Sequence, residues 1–292
     1  MGVTFGINDG SKGYVEHFKP TRMKFFVYTF LLMAALVAFA FKVNDDIERI
    51  TPSKNIVTKS LTVSSFDDLD ISSSLSVKFV QSTGKPQVTV KAPDNLIDRV
   101  IVKTEGDKLI VRLQKNTSIS NMWKGKNDLI LVTITAPAPT EIDMSGATSF
   151  SADVLNVKKL EVDISGASVF KVGNLAATKC EFDVSGASDV KIDAANVADS
   201  DFDVSGASSA KVGNLSGTNT SVEIAGASKV NIVGTTGMLD LDVSGTSAAL
   251  LGDLAATKGK VDVSGMSTAK TRIGKITSRS VSGMSVLDNT YK

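Results

Sequence analysis

The chain has 292 residues and carries 32 Lys and Arg against 31 Asp and Glu, a net charge of +1. So even a balance creates no field that would draw the protein to nucleic acid or to an acidic substrate. One cysteine, Cys180, excludes an internal disulfide framework, and the one histidine, His17, leaves everything after it without an imidazole base.

Residues 1–24 form a polar, basic tail with Lys12, Lys19, Arg22 and Lys24. Residues 25–41 are almost unbroken apolar, at the short end of what spans a bilayer as a helix. Basic residues precede this run and Asp45, Asp46 and Glu48 come after it, which keeps the N-terminus cytoplasmic. Two readings stand. Ala38-Phe39-Ala40 has the small-x-small pattern of a signal-peptide cut after Ala40. The length of the apolar run and of its basic flank suits an uncleaved membrane anchor. Either way the remainder is expected to leave the cytoplasm, for the periplasm or the cell surface.

Residues 42–60 are polar and read as a linker. Residues 61–139 alternate in short strand-like runs separated by turns: 75–80, 87–91, 109–113 and 129–135. Residues 95–100 suit a single helical turn, and Glu105-Gly106-Asp107 is a hairpin signal. The only tryptophan, Trp123, lies in a polar stretch beside Lys124 and Lys126. This segment is expected to cap the rest of the chain, because the open end of a solenoid exposes unpaired backbone and core.

From residue 140 to 292 one phrase is written about eight times. It begins Asp143-Met-Ser-Gly-Ala-Thr148 and Asp163-Ile-Ser-Gly-Ala-Ser168, and ends in a remnant, Ser282-Gly-Met-Ser285. Its glycines, from Gly146 to Gly283, are spaced 20, 20, 20, 20, 19, 20 and 18 residues apart, the mark of a solenoid. Each period alternates apolar and polar residues, giving inward columns Val162, Phe182, Phe202, Val222, Leu241, Val261 and Ile164, Val184, Val204, Ile224, Val243, Val263. Glycine comes next, where a sharp corner calls for positive φ. A second short strand runs through Val172, Ile192, Val212 and Ile232. The pattern predicts an all-β, right-handed parallel β-helix of about 20 residues per coil, preceded by one N-terminal hydrophobic helix. Cys180 shares its repeat position with Ser200 and Thr220 and reads as structural.

From residue 61 onward the chain resembles the bacterial family called the putative auto-transporter adhesin, head GIN domain. The resemblance rests on Phe66-Asp-Asp-Leu-Asp-Ile71, Val77-Lys-Phe-Val80, Val88-Thr-Val90, Pro93-Asp-Asn-Leu96 and Gly106-Asp-Lys-Leu-Ile-Val111, then on the strand from Leu129 and the serine–glycine repeats. It implies an exported β-helical protein of Bacteroidota-type bacteria, and brings no catalytic residues with it. The long tail ahead of the apolar run departs from many relatives, which look simply secreted or lipid-anchored.

The chemistry to weigh is a column of acids: Asp143, Asp163, Asp183, Asp203, Glu223, Asp242 and Asp262. Stacked coils would set them about 4.8 Å apart, where unit charges repel by roughly 1 kcal/mol even in water. A calcium-type cation, hydrogen bonds from neighbouring serines, or the lysines Lys171, Lys191, Lys211 and Lys270 would each offset that repulsion. A solvated, hydrogen-bonded edge is the expectation, and a metal ladder its competitor. The repeated serines Ser145, Ser165, Ser185, Ser205, Ser244, Ser264 and Ser282 read as a corner ladder, since a nucleophile needs a base that the repeats lack. No cofactor is implied.

The reading is a non-catalytic cell-envelope module for adhesion or scaffolding. An envelope protein or glycan is the expected ligand, homo-oligomers are compatible, and no nucleic acid is expected. Residues 25–41 would hold it in the membrane if uncleaved. The alternatives are a membrane-anchored periplasmic sensor or regulatory protein, and a polysaccharide-active β-helix enzyme.

Overall fold

Strands arise from the alternation, and the glycines fix where each one turns. In the computed structural model the described residues are 47–120 and 129–290. Residues 49–292 form one compact unit. The expected N-terminal helix, its signal or anchor role, and Trp123 lie outside the described residues. Among the described residues there is no α-helix, only the 3-10 turn Ile97–Arg99, and no helix long and apolar enough to cross a membrane.

The first strands are β1 (Glu48–Ile50), β2 (Ile56–Thr62), β3 (Asp68–Ile71), β4 (Ser76–Gln81), β5 (Gln87–Pro93), β6 (Val100–Glu105), β7 (Lys108–Leu113), β8 (Thr117–Ile119) and β9 (Leu131–Ala136). The repeats supply β10 (Glu141–Met144), β11 (Ser149–Asn156), β12 (Lys159–Ile164), β13 (Val169–Val184), β14 (Asp189–Val204), β15 (Ser209–Ser216), β16 (Asn219–Ile224), β17 (Lys229–Val243), β18 (Ala248–Val263), β19 (Thr268–Val281) and β20 (Val286–Asn289). They stack in parallel, residue on equivalent residue, into a β-solenoid of about seven turns.

The inward columns, from Val162 to Val261 and from Ile164 to Val263, are buried, and the rings form a stack down the core. Phe79, Phe150 and Phe170 lie 6.1 and 5.0 Å apart between centroids, and Phe182 and Phe202 lie 5.1 Å apart. At the corner, Gly166 has φ +77° and faces the coil before it; an added Cβ would sit 2.3 Å from the Gly146 carbonyl oxygen. Both the left-handed backbone and the close approach therefore require glycine. Two residues on, the hydroxyl-bearing side chains Thr148, Ser168, Ser188 and Ser208 are buried inside the corner. Ser208 Oγ donates to the Gly186 carbonyl at 3.3 Å.

The 19-residue spacing loses its residue on the far side of the coil. There the register slips between Ile232 and Gly234, and Gly234 (φ +137°) fits against the Leu215 carbonyl. The strand that carries the acids keeps its register through this coil.

Solenoid coils do not begin at residue 140. Coil β3–β4 pairs in parallel with β10 and β11 on one side and with β7 and β9 on the other. The coil that comes first in sequence is thus inserted between two later ones. Its corner is Ser72-Ser73-Ser74, with Ser73 at φ +83° standing where the repeats have glycine, and Ala147 N–H donates to its carbonyl at 2.8 Å. Antiparallel pairs close this end: β5 with β9, β2 with β5, and β6 with β7 through the hairpin at Gly106. Strand β2 already starts within the segment read as linker.

The opposite end is closed by side chains. Arg279 pairs with Val261, taking a position that is apolar in every earlier repeat. Asn289 Oδ1 accepts from Ile273 N–H at 2.8 Å and its Nδ2 donates to the Ile273 carbonyl at 3.1 Å, so one amide serves backbone groups that a further coil would serve.

Candidate functional site

All seven acids expected to stack do so, each paired in register with the next from Asp143 to Asp262. The structure lengthens the column by Asp70, which pairs with Asp143. It also adds a second column two residues upstream: Asp68, Glu141, Glu161, Glu181 and Asp201 in unbroken register, with Asp240 beyond Ser221. Asp70 is hidden in the sequence because Asp70-Ile-Ser-Ser-Ser is a repeat phrase without its glycine.

The electrostatics of this double ladder vary along its length. At the head, Lys108 reaches across coil β3–β4 to Asp143 at 2.8 Å and Glu141 at 3.6 Å. Its hydrogen bond to Asp143 raises the Lys108 pKa. Lys159 bridges Glu161 at 2.8 Å and Glu181 at 3.5 Å, and Lys179 also bonds Glu181, holding that carboxyl below its usual range. Farther on the acids face one another. Partial desolvation at the strand surface, and then the neighbouring Asp183, push Asp163 and Asp203 up; Glu223 is raised first by Asp203; partial desolvation and then Asp262 raise Asp242. Shallow troughs run beside the column, one of about 370 Å³ lined by Asp70, Asp143, Asp163 and Asp183 with Ser145, Ser165 and Ser185.

Of the expected offsets, the serine bonds go elsewhere. Ser165 Oγ donates to the Met144 carbonyl and Ser185 Oγ to the Ile164 carbonyl, both at 3.3 Å and both to the preceding coil. They are corner fasteners, and their hydroxyls are occupied. The lysines Lys171, Lys191 and Lys211 do form a column, interrupted by Ser151 before Lys78 at the head and by Asn231 and Leu250 before Lys270 at the far end, but on the second strand of each coil, past the corner. Among the described residues no three carboxylates, imidazoles or thiols converge as a metal site requires. Cys180 is buried, and burial pushes its thiol up to about 12, so it stays a protonated core side chain.

A separate groove of about 720 Å³ runs along the third side of the coils past Asn156, Lys158, Thr178, Asn196, Ser216 and Thr218. Apart from Lys158 and Val157 at one end, its walls are mostly amides, hydroxyls and alanines from successive coils.

The family described as putative auto-transporter adhesin, head GIN domain, matches residues 65–233. The chain belongs to this family. The head GIN match starts beside Phe66, takes in the inserted coil and the antiparallel pairs β5–β9 and β6–β7 but not β2, and ends two residues before Thr235. The coils from β18 onward lie beyond it.

Solved structures agree on the fold. A crystal structure described as a putative adhesin from Parabacteroides merdae superposes with a TM-score of 0.72 at 12% identity, covering 83% of this chain and 99% of its own. One described as a putative adhesin from Bacteroides fragilis gives 0.62 at 21% identity, covering 82% and 99%. A third, described as a putative lipid binding protein from Parabacteroides distasonis, gives 0.58 at 16% identity, covering 84% and 98%. No curated protein matches the sequence. The family and two of these three structures are described as adhesins, and none of them as an enzyme.

Proposed function

We propose that this head GIN protein is an exported, non-catalytic module of the cell envelope that binds through its lateral strand faces. The observation that carries the reading is repetition. The polar groups that chemistry would use are spread one per coil along straight columns, an arrangement that supports many weak, equivalent contacts. The serines support the same view, since Ser165 and Ser185 are engaged in corner bonds. An envelope protein or glycan is the ligand class such a surface fits. The winding is right-handed, as parallel crossovers overwhelmingly are.

Residues 25–41 deliver the chain across the inner membrane, as a signal cut after Ala40 or as an anchoring helix. The anchored form would support a periplasmic sensor or regulatory role. Intact-mass measurement and N-terminal sequencing of the full-length product from fractionated cells test this directly. A new N-terminus at or near Phe41 in the envelope supports the released adhesin, and retention of Met1 or Gly2 in the membrane supports the anchor. Recovery of the uncut chain from the soluble cytoplasm overturns the proposal.

A further inference from the structure

Acid and lysine stand eight residues apart within single coils: Asp70 and Lys78, Asp163 and Lys171, Asp183 and Lys191, Asp203 and Lys211, Asp262 and Lys270. Each acid lies on the first strand of its coil and each lysine on the second, beyond a corner that is Ser73 in the first pair and glycine in the others. Asp163, Asp183 and Asp203 are exposed, as are Lys171, Lys191 and Lys211. Among the described residues Lys171, Lys211 and Lys270 enter no ion pair, while Lys191 stands between the exposed Asp189 and Asp193 on its strand and lies 2.8 Å from Asp193, a pair it exchanges on docking. Asp183, Asp203 and Glu223 likewise lack a cation.

We infer that the lysine face docks against the acid face of a second copy of this chain. Charge complementarity selects that occupant, and the coil spacing supports it. Both columns climb by the same step, about 4.8 Å per coil, because they ride on the same coils. Two copies side by side with parallel coil axes therefore set Lys171, Lys191 and Lys211 of one level with Asp163, Asp183 and Asp203 of the other, without any axial shift. An unrelated acidic partner would have to reproduce that step. Each exposed pair is weak by itself, but three in fixed register act as one multivalent contact. The contact is heterologous, so it leaves one copy with a free acid face and the other with a free lysine face, and assembly continues sideways.

The test uses the full chain in a non-ionic detergent, mixed from isotopically light and heavy preparations. A carbodiimide joins an amine to a carboxylate already in contact, forming an amide while the reagent takes up the elements of water and leaves as a urea. At about 20 mM salt, mixed-isotope links are expected between Lys171, Lys191 or Lys211 and Asp163, Asp183 or Asp203, falling at least roughly tenfold at about 500 mM salt. The triple variants Lys171→Glu/Lys191→Glu/Lys211→Glu and Asp163→Lys/Asp183→Lys/Asp203→Lys should each stay monomeric by sedimentation, yet pair when mixed. The milder Lys171→Gln/Lys191→Gln/Lys211→Gln variant, checked for an unchanged thermal transition, should lose the links as well. A wild-type chain that is monomeric at low salt, mixed-isotope links confined to other faces, or a folded glutamine variant that links like wild type overturns the inference.

Discussion

The head, residues 67–136, and the repeats beyond it are built from the same coil by opposite rules. In the repeats each coil rests on its neighbour in sequence, and a fixed period suffices. In the head, coil β3–β4 is inserted between β7 with β9 and the first repeat, and antiparallel strands seal the end. The difference shows that periodicity elongates a solenoid but cannot begin one. A start needs strands that are distant in sequence, and these tie the head into a single cooperative piece.

Removing a ring from either region is the strongest way to probe that contrast. Phe79→Ala and Phe202→Ala each leave a cavity in a fully buried stack, with an expected loss of about 3–5 kcal/mol. Denaturant unfolding should stay a single transition for Phe79→Ala. A separate early transition for Phe202→Ala would show that the repeats come apart locally.

Next in size is the corner. Gly186→Ala meets left-handed backbone and a carbonyl oxygen 2.4 Å from its new Cβ, and should cost about 3 kcal/mol. Gly106→Ala in the head hairpin shares the positive φ but meets nothing within 4 Å, so about 1 kcal/mol is expected. Equal losses by thermal melting would show that conformation alone, without coil-on-coil approach, fixes the corner glycines.

Lys108 ties the two regions electrostatically. Lys108→Met leaves Asp143 and Glu141 without their cation, and the half-exposed site sets the expected loss, read by denaturant unfolding, at about 1 kcal/mol.

The smallest effect is the pH response of the outer ladder. The pKa values of Asp163, Asp203, Glu223 and Asp242 are raised on folding, so the folded state binds protons more readily than the unfolded chain. Stability should therefore rise as pH falls from neutral through those raised values, reaching its full gain below the ordinary carboxylate range near about 4. Glu181 and Asp94, held low by Lys179 and Ser53, act in the reverse sense and give up stability below that range. A Tm that climbs on mild acidification and flattens in Asp203→Asn would bear this out; a flat wild-type profile would count against it.

Legibility in the sequence divides along the same line between head and repeats. The acid column, the inward columns and the corners are legible because each coil repeats the residues that define it. The inserted coil is not, since Ser73 adopts the corner backbone without being glycine and nothing in a linear string marks that β3 pairs forward to residue 141. Lys108 is invisible for a similar reason: its partner Asp143 is 35 residues away and lies two coils along. The lysine column is legible as a column but belongs to no particular face, because a period reports spacing and leaves the angle between strands open.

Asn289 gives the fold a further property. Because one amide answers the backbone groups of Ile273, the number of turns is independent of how the last one ends. A period added or lost upstream would change neither terminus. Twenty residues drawn out as a strand would reach about 66 Å, yet wound into a coil they advance the stack by only about 4.8 Å. A chain selected for distance would not be wound this way; each added turn chiefly widens the displayed walls, making coil number a dial for area.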